Sequence, residues 1–90
     1  MPKRVDANQP QIVADLRKLG FLVAVTSDLG KGFPDIVVGD PRTGAVFLCE
    51  VKNPEYKWDL TEDEGRFHEL WTGMVHIIEK TEDALRVMGY

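Results

Sequence analysis

Gly32-Phe33-Pro34-Asp35-Ile36-Val37-Val38-Gly39, followed after a turn by Ala45-Val46-Phe47-Leu48-Cys49-Glu50-Val51-Lys52, is the stretch that decides the fold. Two apolar runs rich in β-branched residues flank Asp40-Pro41-Arg42-Thr43-Gly44, whose proline and glycine sit at turn positions, so the pair reads as a β-hairpin. Asp35 opens the first strand, and Glu50 and Lys52 close the second. Charges at the end of a run that otherwise reads as core are costly to bury unless something pairs with them. A divalent metal, a water and a phosphate would supply that pairing. The bland alternative is a solvated Glu50/Lys52 pair on an edge strand, worth ~0–1 kcal/mol.

Side chains alternate along a strand, so Glu50 and Lys52 project from one face and Val51 from the other. Counting back from the turn sets Gly39 opposite residue 45 or 46, and Asp35 opposite residue 49 or 50. In the second register Asp35 and Glu50 are direct cross-strand neighbours, with Cβ atoms roughly 5 Å apart. Two carboxylates so placed repel unless a cation lies between them, and oxygen-only ligands suit Mg²⁺ or Mn²⁺. Lys52 would then position or deprotonate a metal-bound water and steady charge on the phosphate, with the Val51 backbone carbonyl as a further ligand. Pro-Asp and Glu-x-Lys each arise by chance in many chains; together at the base of one hairpin they carry more weight.

The flanking sequence supplies the other elements. Asn8 reads as a helix N-cap with Pro10 in the first turn; Ile12, Val13, Leu16 and Leu19 follow at helical spacing, and Gly20 stops the helix. Residues 21–26 read as a strand and 27–33 as a glycine-bearing loop, with hairpin strands over 35–39 and 45–51. Residues 53–59 form a polar loop. Thr61-Glu62-Asp63-Glu64 matches the capping box, ahead of a helix whose apolar stripe is Phe67, Leu70 and Trp71, with Trp71 reading as core, and which Gly73 ends. A fourth strand over 74–78 and a short helix capped by Thr81, carrying Leu85 and Met88, complete the order α-β-β-β-α-β-α. The expectation is one α/β domain over residues 1–90, with a three- or four-stranded mixed sheet and helices on both faces.

Net charge of −4 argues against non-specific nucleic-acid binding, although residues 1–34 carry +2 through Lys3, Arg4, Arg17, Lys18 and Lys31 against Asp6, Asp15 and Asp28. Bound Mg²⁺ would offset part of the acidity. No apolar run approaches a membrane span and no signal-peptide core follows Met1-Pro2-Lys3-Arg4, so no membrane association is expected. Cys49 is the single cysteine, which fits a reducing, cytoplasmic setting and reads as a small buried hydrophobe.

Gly32-Phe33-Pro34-Asp35-Ile36, Cys49-Glu50-Val51-Lys52 and Leu60-Thr61 before a helix, in this order of elements, resemble the VRR-NUC domain of the PD-(D/E)XK nuclease superfamily, in its small stand-alone form typical of phage and bacterial proteins. The resemblance covers residues 6–85. It implies a restriction-endonuclease-like core, Mg²⁺-dependent phosphodiester hydrolysis, homodimerisation, and action on branched DNA such as four-way junctions, in a bacterial or phage-infected cytoplasm. By position Asp35 and Glu50 match the metal carboxylates and Lys52 the catalytic lysine.

Two positions depart from that pattern. Where the family usually has a Glu near the start of the first helix, this chain offers Gln9 or Gln11; Gln9 leans toward the apolar stripe, whereas Gln11 shares a face with Asp15 and Lys18, so Gln9 is favoured. Where the family often has a Gln early in the second helix, this chain has Glu64, readable as a site residue or as the capping-box partner of Thr61. These swaps leave the number of metals open. Lys31, Arg42, Lys52 and Lys57 form the candidate basic strip for DNA. Tyr56 and Trp58 beside Lys57 read as base-stacking or anchoring residues, and His68 and His76 lack zinc-ligand spacing. The resulting expectation is a metal-dependent endonuclease acting on junction or flap DNA. Its rival is an inactive module of the same fold that binds DNA or a protein, and a third reading is an acidic regulator in which the Asp35/Glu50/Lys52 pattern is accidental.

Overall fold

The computed structural model describes residues 7–90; Lys3, Arg4 and Asp6, counted above, lie outside them. The chain runs through α1 (Gln9–Lys18), β1 (Leu22–Val25), a 3₁₀ turn (Ser27–Leu29), β2 (Ile36–Gly39), β3 (Val46–Val51), α2 (Glu62–Leu70), β4 (Val75–Ile78) and α3 (Thr81–Val87). It is a small mixed α/β domain with one four-stranded sheet in the order β1-β2-β3-β4. β1 and β3 both pair antiparallel with β2, and β4 runs parallel to β3. A parallel pair cannot be joined by a tight turn, which is why the α2 crossover separates β3 from β4.

The hairpin register pairs Gly39 with Val46 and Ile36 with Cys49. Continued by one residue it sets Asp35 opposite Glu50, the second of the two registers the turn allowed. The pleat then divides the sheet. Val23, Ile36, Val38, Phe47, Cys49, Val51 and Ile78 share one face and pack with Ile12, Val13 and Leu16 of α1 and Ala84 of α3. Leu16, Ile36, Val38, Val51 and Ile78 are completely buried, each burial worth about 1.5–3 kcal/mol.

The opposite face is treated unequally. Leu22, Ala24, Val37, Val46, Leu48, Val75 and Ile77 share it, and Leu22 and Val46 are 68 % and 67 % exposed. Glu50 and Lys52 fall on this same face by alternation. The face is most fully buried there, where the first turn of α2 brings Glu64 to Lys52, while Val37, Leu48 and Val75 are half-buried. Helices therefore do lie on both sides of the sheet, but α2 guards one end and leaves Leu22, Ala24, Val46 and Ile77 exposed. Among the described residues no helix is long and apolar enough to cross a membrane.

Four local readings need correction. Asn8 occupies the N-cap position, yet its side chain makes no cap; Nδ2 donates to the Lys52 and Glu79 carbonyls at 3.0 and 2.7 Å, satisfying two strand ends instead. Leu19 falls at the C-cap of α1, where the helix has already ended, and is half exposed. Trp71 similarly caps α2 and is 45 % exposed rather than core. Thr81 lies inside α3, and its hydroxyl donates to Asp15 of α1, while Asp83 takes the Glu79 and Lys80 amides at the helix start.

Candidate functional site

Asp35 is located by its backbone before its carboxylate does anything. Thr26 Oγ1 donates to the Pro34 carbonyl at 2.7 Å and the Thr26 amide to the Asp35 carbonyl at 2.8 Å, extending the β1–β2 pairing past the strand ends. Asp35 Oδ2 then accepts the Val51 amide at 2.8 Å, so the carboxylate braces the end of β3. The Val51 amide, rather than the carbonyl singled out from sequence, is the group of Val51 that meets Asp35. Asp35, Glu50 and Lys52 are 3 %, 1 % and 8 % exposed, which excludes the solvated edge-strand pair.

Lys52 Nζ lies 2.8 Å from Glu64 Oε1 and 4.0 Å from Glu50 Oε2, with the Trp58 ring centre 5.9 Å away. Glu64 Oε1 also accepts the Thr61 amide at 2.9 Å, while the Glu64 amide donates to Thr61 Oγ1 at 3.1 Å. The two readings of Glu64 therefore coincide: one oxygen closes the capping box and holds the lysine. Burial pushes the Glu64 carboxyl up, but the hydrogen bonds from Lys52, the Thr61 amide and the Glu50 carboxyl outweigh it and bring the pKa to about 2.

The approach of α2 depends on Gly32. At φ +80° it lies in the left-handed region, and a Cβ there would collide with the Asp63 carbonyl and sit 2.7 Å from the Glu64 nitrogen. Only glycine allows the loop before Asp35 to touch the helix that carries Glu64. Phe33 follows by packing edge-on against Phe67 and Trp71, at 5.3 and 6.5 Å between ring centroids.

Gln9 is buried; its Nε2 reaches Ser27 Oγ at 3.4 Å, and its Oε1 has no hydrogen-bond partner among the described residues. Ser27 follows Thr26, whose amide holds Asp35, so this amide lies at the end of the sheet where Asp35 begins. Gln11 is exposed and donates to Asp15 at 2.7 Å. Of the two glutamines, Gln9 is the inward one.

The donors that would hold a metal are all oxygens: the Asp35 and Glu50 carboxylates, the Val51 carbonyl and the orphaned amide oxygen of Gln9. That set fits a hard cation such as Mg²⁺ or Mn²⁺ and disfavours zinc. Among the described residues no group of three or more His, Cys, Asp or Glu side chains forms a ready-made metal shell.

The proposed basic strip divides. Lys31 is exposed on the loop that leads to Asp35, and Lys57 is exposed on the loop after Lys52. Arg42 belongs elsewhere: it sits in the β2–β3 turn, at the other end of the hairpin from Asp35 and Glu50. There it pairs with Asp40 at 3.3 Å and lies over the Phe21 and Tyr90 rings at 4.8 and 4.5 Å. A turn-residue arginine is drawn to the nearest carboxylate and aromatic faces, and spacing alone did not reveal them. Trp58 is anchored through Nε1 to Glu79 at 3.1 Å, whereas Tyr56 is exposed.

His68 was missed as a neighbour of the site. It follows Glu64 by four residues, hence on the same helix face, and its Nε2 is buried without a hydrogen-bond partner among the described residues. Burial lowers its pKa, against the Glu64 charge and together with the Lys52 charge. The Glu64–His68 spacing was the available signal. Cys49 faces the core, and burial pushes its thiol up to about 12.

No family model matches the chain, and neither the curated proteins nor the solved structures contain a match to it.

Proposed function

We propose that this chain is a metal-dependent DNA endonuclease with a restriction-endonuclease-like core, similar to the stand-alone VRR-NUC domain and acting on branched or flapped DNA. The observation that supports this reading most is the burial of Asp35, Glu50 and Lys52 together at one end of one hairpin. Nothing in the packing of a small domain calls for two carboxylates and an ammonium at that depth. Asp35, Glu50 and the Val51 carbonyl would hold Mg²⁺ or Mn²⁺, with the Gln9 amide oxygen as a weaker ligand. The cation would polarise a phosphodiester and lower the pKa of its water.

The chain's own groups have distinct tasks in this reading. The Val51 amide fixes the orientation of Asp35. Lys52, donating to Glu64, acts as a positioned cation rather than a base, and its charge offsets that developing on the phosphate. Glu64 is a positioning residue, since it acts through Lys52. Two symmetric cuts in a junction require a second centre, and we assign the open apolar sheet face around Leu22, Val46 and Ile77 to a second copy of the chain.

The test is incubation with single-strand, duplex, flap and four-way-junction DNA in Mg²⁺, Mn²⁺ or EDTA. Cleavage that needs a divalent cation and vanishes in Asp35→Asn supports the reading; undiminished cleavage by that variant overturns it. One observation favours the inactive binding module: the inward residue of α1 is the neutral Gln9 instead of a carboxylate. Binding of DNA without turnover under any of these cations would establish that alternative.

A further inference from the structure

Beside the proposed centre lies a groove of about 430 Å³ lined by Lys31, Asp63, Arg66, Phe67, Leu70 and Trp71. Its floor is aromatic. Phe67 and Trp71 stack at 4.9 Å with 17° between their planes, and Phe33 meets both rings edge-on. Phe67 covers one face of the indole, yet Trp71 remains 45 % exposed and Leu70 74 % exposed. A packed aromatic platform left open to water, with a cation on either side, has the build of a base-stacking site.

Lys31 adds an independent observation. It has φ 54°, and among the described residues it is the only non-glycine with positive φ. Gly30 and Gly32 on either side are also left-handed, so the whole turn is folded back on itself. A lysine in this region costs stability that a glycine or asparagine would not. The strained residue is at the rim of the aromatic groove, four residues before Asp35. Two acids stand against these cations: Glu62 pairs with Arg66 at 3.4 Å and Asp63 lies on the rim, but the Glu62–Arg66 pair is on the exposed part of α2, where an ion pair is weak enough for a phosphate to displace.

We infer that this groove binds an unpaired nucleotide of the DNA, its base stacked on Trp71 and its phosphate met by Lys31 and Arg66. The inference rests on the nuclease reading for its substrate and deepens it: a single-stranded nucleotide next to the centre selects flaps, forks and opened junctions over continuous duplex. Asp63 adjoins Glu64 and Gly32 touches both, so a base in the groove and a phosphate near Lys52 belong to one short strand.

The experiment uses the full chain in EDTA, so that nothing is cut, with fluorescently labelled oligo(dT) and the same strand containing abasic positions. Stacking predicts that Trp71→Ala weakens oligo(dT) binding about 5- to 150-fold, the range for one base on one aromatic ring. The abasic strand should lose similarly on the unaltered protein and no further on Trp71→Ala. In a Trp58→Phe background, where Trp71 is the sole indole, oligo(dT) should quench the emission. Lys31→Gly should bind more weakly while melting at the same or a higher temperature, an outcome that a structural role for the lysine would not give. Abasic and intact strands binding the unaltered protein equally would overturn the inference. So would a Trp71 signal that depends on protein concentration without DNA, which would mean that a second copy fills the groove. Loss of cleavage in Asp35→Asn with these results negative would leave the nuclease reading standing alone; stacking without any metal-dependent cleavage would do the reverse.

Discussion

Lys52 and Glu64 meet through a single oxygen: Nζ lies 2.8 Å from Oε1, the same atom that accepts the Thr61 amide at 2.9 Å. The start of α2 and the lysine on β3 therefore cannot be adjusted independently. Glu64→Gln keeps an oxygen for the amide and removes the charge, leaving the buried ammonium with Glu50 at 4.0 Å. This variant should be less stable by about 1–3 kcal/mol. Lys52→Met with Glu64→Gln should be less destabilised than the two single changes added, by about 1–2 kcal/mol in a urea-denaturation cycle. Additive losses would mean that the pair is not coupled.

The same pair sets an acid limit. Glu64 titrates at about 2 in the folded chain, below its ordinary value of 4.5, so its contribution to stability is complete above about pH 4.5 and is lost as pH falls toward 2. Allowing for solvent screening, that contribution is about 1–2 kcal/mol. Urea midpoints between pH 5 and 2.5 should fall more steeply for the unaltered protein than for Glu64→Gln. Parallel slopes would place the acid sensitivity elsewhere.

Asp35→Asn and Asp35→Ala should separate chemistry from bracing. Both remove the negative charge and should abolish metal-dependent cleavage. The asparagine keeps an oxygen for the Val51 amide, whereas the alanine strands a buried N–H and should cost about 1–3 kcal/mol more. Equal melting temperatures for the two would show that the bond to Val51 contributes nothing.

Gly30 and Gly32 offer a matched comparison. Both have positive φ, but an added Cβ meets nothing at Gly30 and collides with the start of α2 at Gly32. Gly30→Ala should cost about 1–2 kcal/mol from backbone conformation alone. Gly32→Ala should cost more and should also lower turnover, because it pushes Glu64 away from Lys52. Equal effects on stability and activity would refute the close approach.

Gln9→Glu and Gln11→Glu test the first helix. A carboxylate at the buried Gln9 should destabilise the metal-free protein and raise Mn²⁺ affinity in calorimetric titration, so that Mn²⁺ restores stability. At exposed Gln11 the change faces Asp15 and should cost about 0.2–0.5 kcal/mol without altering Mn²⁺ affinity. Identical Mn²⁺ affinities for both would exclude α1 from the metal site.

The hairpin, the two registers open to it and the order of elements were legible because they rest on local rules: alternation, a Pro/Gly turn and a capping box; the choice between the registers came from the structure. The inward lean of Gln9 was legible from helical spacing for the same reason. What was not legible depended on distances between elements. Glu64 read as either cap or site, because only the approach of Gly32 to α2 brings its oxygen within reach of Lys52. Arg42 was counted toward DNA because the sequence does not reveal that Phe21, Asp40 and Tyr90 converge on it. Trp71 read as core, since periodicity marks a helix face but not whether another element covers it.

Asn8 joins the carbonyl of Lys52 to that of Glu79, spanning 44 and 71 positions of sequence. Synthesis delivers these three residues at widely separated times: Asn8 first, the hairpin next, and Glu79 after it. The hairpin carrying Asp35 and Glu50 can pair as soon as it is made, but the ends of β3 and β4 are not tied to the first helix until nearly all of the described chain is available. Such long-range closures form late in folding. A nascent chain would thus carry Asp35 and Glu50 on a paired hairpin while the residues up to Glu79 are still being made, before Asn8 can tie the two strand ends together.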